Sequence, residues 1–363
     1  MKASKFENKH LESIPVYIPG KPISEVRREL GIEGDFIKLA SNESPYGCSD
    51  KAKEAAASAI NESWLYPDGT SFYLRKSIAD FYGLPFENVI VGSGSVELID
   101  LLAFAFLNKD TELLTSDKTF LMAQIAAKKV NALENIVPTT PGYAYDVDEI
   151  ISRISSRTRI LYIANPNNPT GTFINNEGIK KIMNAVDDNL IVVFDEAYYE
   201  YAEDQIDTLR YLRENRQVMI LRTFSKAYGL AGMRVGYGLC HPELVVSLDK
   251  IRNPFNLTII AQEAALAALK DQEHIKKVIY LNKAERIFME ESLKKLGLKY
   301  VPSVTNFLLV EFTTDTKKVY NDLLKKGIIV RPVANYGLPN HLRISLGTRK
   351  QNELLLKALE NII

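Results

Sequence analysis

The chain has 363 residues, 45 lysines and arginines against 45 aspartates and glutamates, and 46% hydrophobic residues. That length suits one large domain with a smaller companion, and the apolar fraction excludes a mostly disordered polypeptide. Zero net charge excludes the basic surplus with which nucleic-acid binders replace phosphate counterions. No apolar run approaches the roughly 20 residues that cross a bilayer, and polar Met1–Ser13 lacks the apolar stretch of a secretory signal. A cytoplasmic protein with no membrane or nucleic-acid partner is expected. The two cysteines, Cys48 and Cys240, are far apart and read as reduced thiols. His10, His241, His274 and His341 have no ligand spacing, so no metal site is expected.

In chain order, residues 1–30 read as an N-terminal arm, because Pro15, Pro19 and Pro22 crowd around Tyr17 and Gly20. Residues 31–250 read as a large domain. Short β-branched or apolar runs at Asn88–Val91, Glu112–Thr115, Arg159–Ala164, Leu190–Phe194 and Val218–Leu221 alternate there with helical patterns such as Val96–Leu107 and Asn176–Asp188. That alternation predicts an α/β fold on a mostly parallel sheet. The unbroken apolar run Leu190–Phe194 suits a strand covered on both faces. Residues 251–363 read as a small α+β domain. It begins with a helix over Gln272–Leu296, whose stripe includes Ile275, Val278, Ile279, Ile287, Leu293 and Leu296, with Gly297 as its stop. Strands at Phe307–Phe312, Ile328–Arg331 and His341–Leu346, a helix over Thr316–Lys326 and a terminal helix complete it.

Ligands of open parallel sheets bind beyond the carboxyl ends of the strands, so the residues following each strand carry the functional argument. After Asn88–Val91, Gly92-Ser93-Gly94-Ser95 opens a helix whose N–H groups and positive end suit a phosphate. Glu97 stands where a dinucleotide fingerprint has its third glycine. After Arg159–Ala164, two X-Pro steps in Asn165-Pro-Asn-Asn-Pro-Thr-Gly171 make a rigid loop that fixes the amide of Asn168. After Leu190–Phe194 stand Asp195 and Tyr198; an aspartate at the mouth of an apolar strand calls for a cationic partner or serves as a helix cap. After Val218–Leu221 stand Thr223, Ser225 and Lys226, with Arg234 eight residues beyond the lysine. A lysine in that company binds phosphate, forms a Schiff base, or is simply solvated. Each string alone has an ordinary structural reading. Together they describe one ligand: a phosphate for Gly94, Ser95, Thr223, Ser225 and Arg234, a protonated ring nitrogen for Asp195, a ring oxygen for Asn168 and Tyr198, and an aldehyde carbon for Lys226. That ligand is pyridoxal 5′-phosphate.

With those motifs in view, the chain resembles the fold-type I, class-II pyridoxal-phosphate-dependent aminotransferases from about residue 15 to the C-terminus. The finer resemblance is to the histidinol-phosphate aminotransferase family. It rests on Tyr17-Ile-Pro-Gly-Lys-Pro22, Leu39-Ala-Ser-Asn-Glu-Ser-Pro-Tyr-Gly47, Tyr66-Pro-Asp68 and the stretch from Arg331 to Arg343-Ile-Ser345. Gly92-Ser-Gly-Ser-Val-Glu97 departs from the family's Gly-Ala/Gly-Asp-Glu but keeps the backbone donors, and Phe120 stands where a tyrosine is also common. The resemblance implies that Lys226 holds the cofactor as a Schiff base and then acts as general base. It implies that Asp195 keeps the pyridine nitrogen protonated and that Phe120 stacks on the ring. It further implies an amino-group exchange between L-histidinol phosphate and 2-oxoglutarate, giving imidazole acetol phosphate and glutamate in histidine biosynthesis. Arg343, with Arg331 second, would grip the substrate's phosphate or carboxylate, Tyr17 and Asn42 would line the substrate site, and Tyr66 would reach the cofactor of a partner subunit in a homodimer. An aromatic amino acid aminotransferase, a phosphothreonine decarboxylase, a nucleotide-binding oxidoreductase and a catalytically silent binding protein remain as alternatives.

Overall fold

The computed structural model describes residues 6–14, 16, 25, 27, 28 and 36–363. The expectation of an arm over residues 1–30 lies largely outside the described residues, as does Tyr17.

The core is a seven-stranded sheet built from β2 (Val89–Gly92), β3 (Glu112–Ser116), β4 (Leu133–Val137), β5 (Thr158–Ala164), β6 (Ile191–Asp195), β7 (Val218–Thr223) and β8 (Gly236–Cys240), in the order β2-β8-β7-β6-β5-β3-β4. Only β8 runs antiparallel to its neighbours. Successive side chains of a strand face opposite ways, and both faces are covered. Val192 and Phe194 join a core with the helices Asp50–Ala59, Phe72–Tyr82, Asn176–Ala185 and Ile259–Lys270. Ile191 and Val193 join a second core with Ser95–Phe106, Met122–Lys129 and Pro242–Asp249.

The predicted strands coincide with β2, β3, β5, β6 and β7 to within two residues at each end. Two strands of this sheet escape the sequence pattern. β4 is an edge strand whose Leu-Glu-Asn-Ile-Val is half solvated, so it has no continuous apolar run. β8 carries Gly236 and Gly238, which read as breakers. Both are demanded by close approach: a Cβ at Gly236 would lie 2.4 Å from the Ser95 nitrogen, and one at Gly238 would lie 2.2 Å from the Met219 methyl.

The small unit holds a four-stranded antiparallel sheet of β9 (Lys299–Val301), β10 (Phe307–Glu311), β12 (Arg331–Pro332) and β13 (His341–Ser345), in the order β12-β13-β10-β9. The predicted strand Ile328–Arg331 divides. β11 (Ile328–Ile329) pairs in parallel with β1 (Ile37–Lys38), while Arg331 pairs with Arg343. The segment after β1 continues this attachment, with Leu39 N–H donating to the Ile329 carbonyl and Ser345 N–H to the Leu39 carbonyl. The helix Gln272–Lys295 bridges the units: Ile275 belongs to the large core, Met289 and Leu293 to the small one. We propose that the domain boundary lies within this helix rather than near residue 250, and that residues 37–42 belong to the small unit.

Candidate active site

A cavity of about 320 Å3 lies beyond the carboxyl ends of β5, β6 and β7, beside the start of the helix Ser95–Phe106. One end is a set of anion donors. Gly94 holds φ +80°, and Ser95 and Val96 after it line the cavity at the helix's N-terminus, where the first N–H groups have no intrahelical acceptor. Ser93 N–H donates to Glu97 Oε2 at 2.5 Å, and Asn256 Nδ2 donates to the same oxygen at 2.7 Å, so Glu97 ties down the turn. Thr223, Ser225 and Arg234 complete this end, the guanidinium donating to Ser225 Oγ at 3.3 Å and to the Ala231 carbonyl at 2.9 Å.

Asp195, 3% exposed at the end of β6, supplies the carboxylate. Tyr162 hydroxyl donates to its Oδ2 at 2.6 Å and the Ala197 N–H to Oδ1 at 3.1 Å. Burial pushes this carboxyl up to about 6, against the opposing pull of the Tyr162 hydrogen bond. Asn168 and Tyr198 line the same cavity, Asn168 Nδ2 donating to the Tyr198 hydroxyl at 3.4 Å. The Asn168 loop is held by its neighbour: Asn167 Nδ2 donates to the Lys118 carbonyl and to Thr170 Oγ1, both at 2.8 Å, while its Oδ1 accepts from Thr119.

Lys226 sits where this cavity meets a second, smaller one lined by Asn42, Arg331, Tyr336 and Arg343. Its Nζ donates to the Ser41 carbonyl at 3.1 Å. Burial and then the Arg343 cation push the lysine down to about 8, while Glu43 works in the opposite sense. Arg343 Nη1 donates to Asn168 Oδ1 and Nη2 to the Ala40 carbonyl, each at 2.7 Å. Asn42, at φ +56°, donates from Nδ2 to the Tyr198 hydroxyl at 2.8 Å and is held by Ser345 and by Asn306 Nδ2.

The description "Aminotransferase class I and II" matches residues 34–359. The chain belongs to the class I and II aminotransferases. Along 364 aligned residues covering all of both proteins it is 43% identical to a histidinol-phosphate aminotransferase of Akkermansia muciniphila. It is 42% identical to one of Moorella thermoacetica over 97% of this chain and 91% of that protein. It is also similar to the solved histidinol-phosphate aminotransferase of Sinorhizobium meliloti in complex with pyridoxal-5′-phosphate. That likeness has a TM-score of 0.89 at 28% identity and covers 97% of this chain and 96% of the other. The fold is the fold-type I architecture of these aminotransferases, and family membership sets aside the oxidoreductase alternative.

Of the residues singled out in the sequence, Ser95, Phe120, Asn168, Asp195, Tyr198, Thr223, Ser225, Lys226 and Arg234 line the first cavity of this aminotransferase. Asn42, Arg331 and Arg343 line the second, and Gly94 lies against the Arg234 guanidinium. Tyr66 lines neither; it is 82% exposed and stacks on Phe255. Sequence reasoning missed Ser41, Glu43, Tyr162 and Tyr336. Ser41 acts through its carbonyl, which no side-chain pattern reveals. Tyr162 reads as one more apolar strand residue, and only the register of β5 on β6 brings it beside Asp195. Also missed is a buried pair behind the site, Arg222 Nε to Glu196 Oε2 at 2.9 Å, with the guanidinium 3.5 Å from the Tyr199 ring centroid. It joins the ends of β6 and β7, which carry Asp195 and Thr223.

Proposed function

We propose that the chain exchanges an amino group between L-histidinol phosphate and 2-oxoglutarate, giving imidazole acetol phosphate and glutamate, with pyridoxal 5′-phosphate as cofactor. The observation that carries this reading is the position of Lys226 Nζ. It stands between a cavity with anion donors at one end and a buried carboxylate, and a second cavity holding two arginines. The donor set fits the cofactor. Ser95, Thr223, Ser225 and Arg234 would receive its phosphate, Asp195 would hold a proton on its ring nitrogen, Asn168 and Tyr198 would bond its ring oxygen, and Phe120 would cover its ring face. When bound, pyridoxal phosphate supplies an electron sink for the pair left when the substrate carbon loses its proton.

The chain's own part is to bind, orient and move that proton. Lys226, depressed to about 8, has a neutral fraction near neutral pH that grows as the solution becomes mildly alkaline, and its Nζ takes the proton from the amino-bearing carbon. Arg343 receives the anion, carboxylate from glutamate or phosphate from the phosphorylated amine, in the bidentate geometry a guanidinium favours. Its hydrogen bonds to Asn168 and to the Ala40 carbonyl fix the plane of the fork before substrate arrives. Arg331 lies in the same cavity as a second cation. Tyr17 would add to this site.

The exposure of Tyr66, stacked on Phe255 and with Trp64 80% exposed nearby, supports a homodimer in which Tyr66 reaches the partner's cofactor phosphate. Among the described residues no helix is long and apolar enough to cross a membrane, and we propose that the enzyme works in the cytoplasm. The test is a panel of amino donors against 2-oxoglutarate. Histidinol phosphate should give the largest kcat/KM. Preference for phenylalanine or tyrosine, or release of carbon dioxide from phosphothreonine, would replace this reading with an aromatic aminotransferase or a decarboxylase. Borohydride treatment of the holoenzyme should attach the cofactor to Lys226, and attachment elsewhere would overturn the assignment of the lysine.

A further inference from the structure

Asp195 is not simply a carboxylate at a strand end, because a phenol holds it from behind. β5 and β6 pair in parallel with Tyr162 opposite Val193 and Ala164 opposite Asp195. Tyr162 and Asp195 are therefore diagonal neighbours on one face of the sheet. The Tyr162 ring is 1% exposed and packs in the core with Ile160 and Val193, while its hydroxyl reaches Asp195 Oδ2 at 2.6 Å. Its own carbonyl accepts from Thr115 Oγ1 at 2.8 Å, so the strand beneath it is pinned to β3. Nothing in the reaction needs a hydroxyl at this depth, and a phenylalanine would fill the same space. A buried hydroxyl aimed at a buried carboxylate at 2.6 Å is a charge-assisted contact.

We propose that Tyr162 is a positioning residue for the cofactor-binding carboxylate: by occupying Oδ2 it fixes the Asp195 rotamer and keeps the group ionised, so that it faces the cavity as an anion. This rests on the reading of Asp195 as the partner of the cofactor's ring nitrogen. The other groups around the carboxylate do not substitute for the phenol. From its own segment Glu196 opposes ionisation by like charge, and the Tyr198 hydroxyl lies between the Asn42 and Asn168 amides, accepting from both. Tyr145, on the loop before the helix Val147–Ser152, bonds Thr119 and the Ala164 N–H instead. Lys226, beyond β7, favours ionisation but bonds the Ser41 carbonyl. The Ala197 N–H serves only Oδ1. Tyr162 stays a donor throughout, since burial first, and then the charge of Asp195, push its own ionisation far up.

The test is Tyr162→Phe in the full-length chain, stripped of cofactor and titrated with pyridoxal phosphate from pH 5 to 9. An ionised Asp195 is needed to pair with the protonated ring nitrogen, so affinity falls on acidification through the carboxyl's own titration. In the unaltered chain that midpoint should lie near 6. Losing one hydrogen bond to a charged acceptor should move it up by about one unit or more, weakening cofactor binding roughly tenfold or more at pH 5 and little at pH 9. The same substitution made in an Asp195→Asn background should change cofactor affinity less than about twofold, because distant effects add while coupled ones do not. An unmoved midpoint, or an equal loss in the Asp195→Asn background, would overturn the proposal and leave Tyr162 as core packing. If instead Asp195→Asn alone left affinity and its pH dependence unchanged, the reading of Asp195 itself would fall.

Discussion

Substituting Gly94 by alanine tests the phosphate end of the site by adding a single methyl group. Gly94 holds φ +80° and ψ 164°, a region that residues with a Cβ reach at a cost of about 1–3 kcal/mol. The added Cβ would lie 2.3 Å from Arg234 Nη2 and 3.3 Å from its Cζ. Restoring ordinary contact requires the guanidinium to retreat by roughly 1 Å, which takes it from Ser225 Oγ, already 3.3 Å away. Two effects should separate. Strain lowers the stability of the cofactor-free chain by about 1–3 kcal/mol, readable in a denaturant titration. Displacement of one charge-assisted contact, about 1.5–3 kcal/mol, weakens pyridoxal phosphate binding roughly tenfold to a hundredfold. Pyridoxal, which lacks the phosphate, should bind the altered and unaltered chains alike. A phosphate-bearing cofactor bound within threefold of normal, or an equal loss with pyridoxal, would refute the assignment of Gly94 and Arg234 to an anion.

Asp195→Asn should stabilise the cofactor-free chain at neutral pH. The buried carboxyl titrates near 6 when folded against 3.8 in the ordinary case, so the folded state holds its proton more tightly and loses stability as pH rises from about 4 to 6. The cost is complete above that window, on the order of 3 kcal/mol, and absent below it; equal melting differences at pH 3.5 and pH 7.5 would contradict this. Glu43→Gln removes a charge that raises the Lys226 pKa, so in the cofactor-free chain the pH dependence of Lys226 acylation by an amine-reactive reagent should shift to lower pH; an upward shift would refute the electrostatic picture. Arg343→Ala should raise KM for glutamate and for histidinol phosphate together, and an effect on one alone would mean separate receptors for the two anions. Subunits carrying Lys226→Ala and Tyr66→Ala are each expected to be impaired. Mixing them should restore part of the activity if Tyr66 serves the partner's site, and no recovery on mixing would place Tyr66 outside it.

Much of the first cavity is legible because its residues follow strands whose apolar runs stand out. Asp195 follows Ile191–Phe194, and Lys226 follows β7 closely. Lys226 and Arg234 read as one group because eight residues bring the chain around Gly229 and back to β8. The second cavity is less visible. Arg343 and Arg331 are picked out by type and by resemblance, but the contact of Arg343 with Asn168 joins residues far apart in the chain, and no local pattern encodes it. β8 is hidden because its glycines answer to neighbouring atoms rather than to strand propensity. Tyr162 and Ser41 are hidden for a related reason: one acts through sheet register, the other through a backbone carbonyl.

The pairing of Ile37–Lys38 with Ile328–Ile329 has a mechanical consequence. It fastens the stretch that supplies Ser41 and Asn42 to the same unit that supplies Arg331 and Arg343. The lysine's carbonyl rest and the two arginines of the second cavity thus share one frame, while Lys226 and Asp195 ride on the other. Any rocking of one frame against the other changes the reach of the lysine and the width of the second cavity in a single stroke.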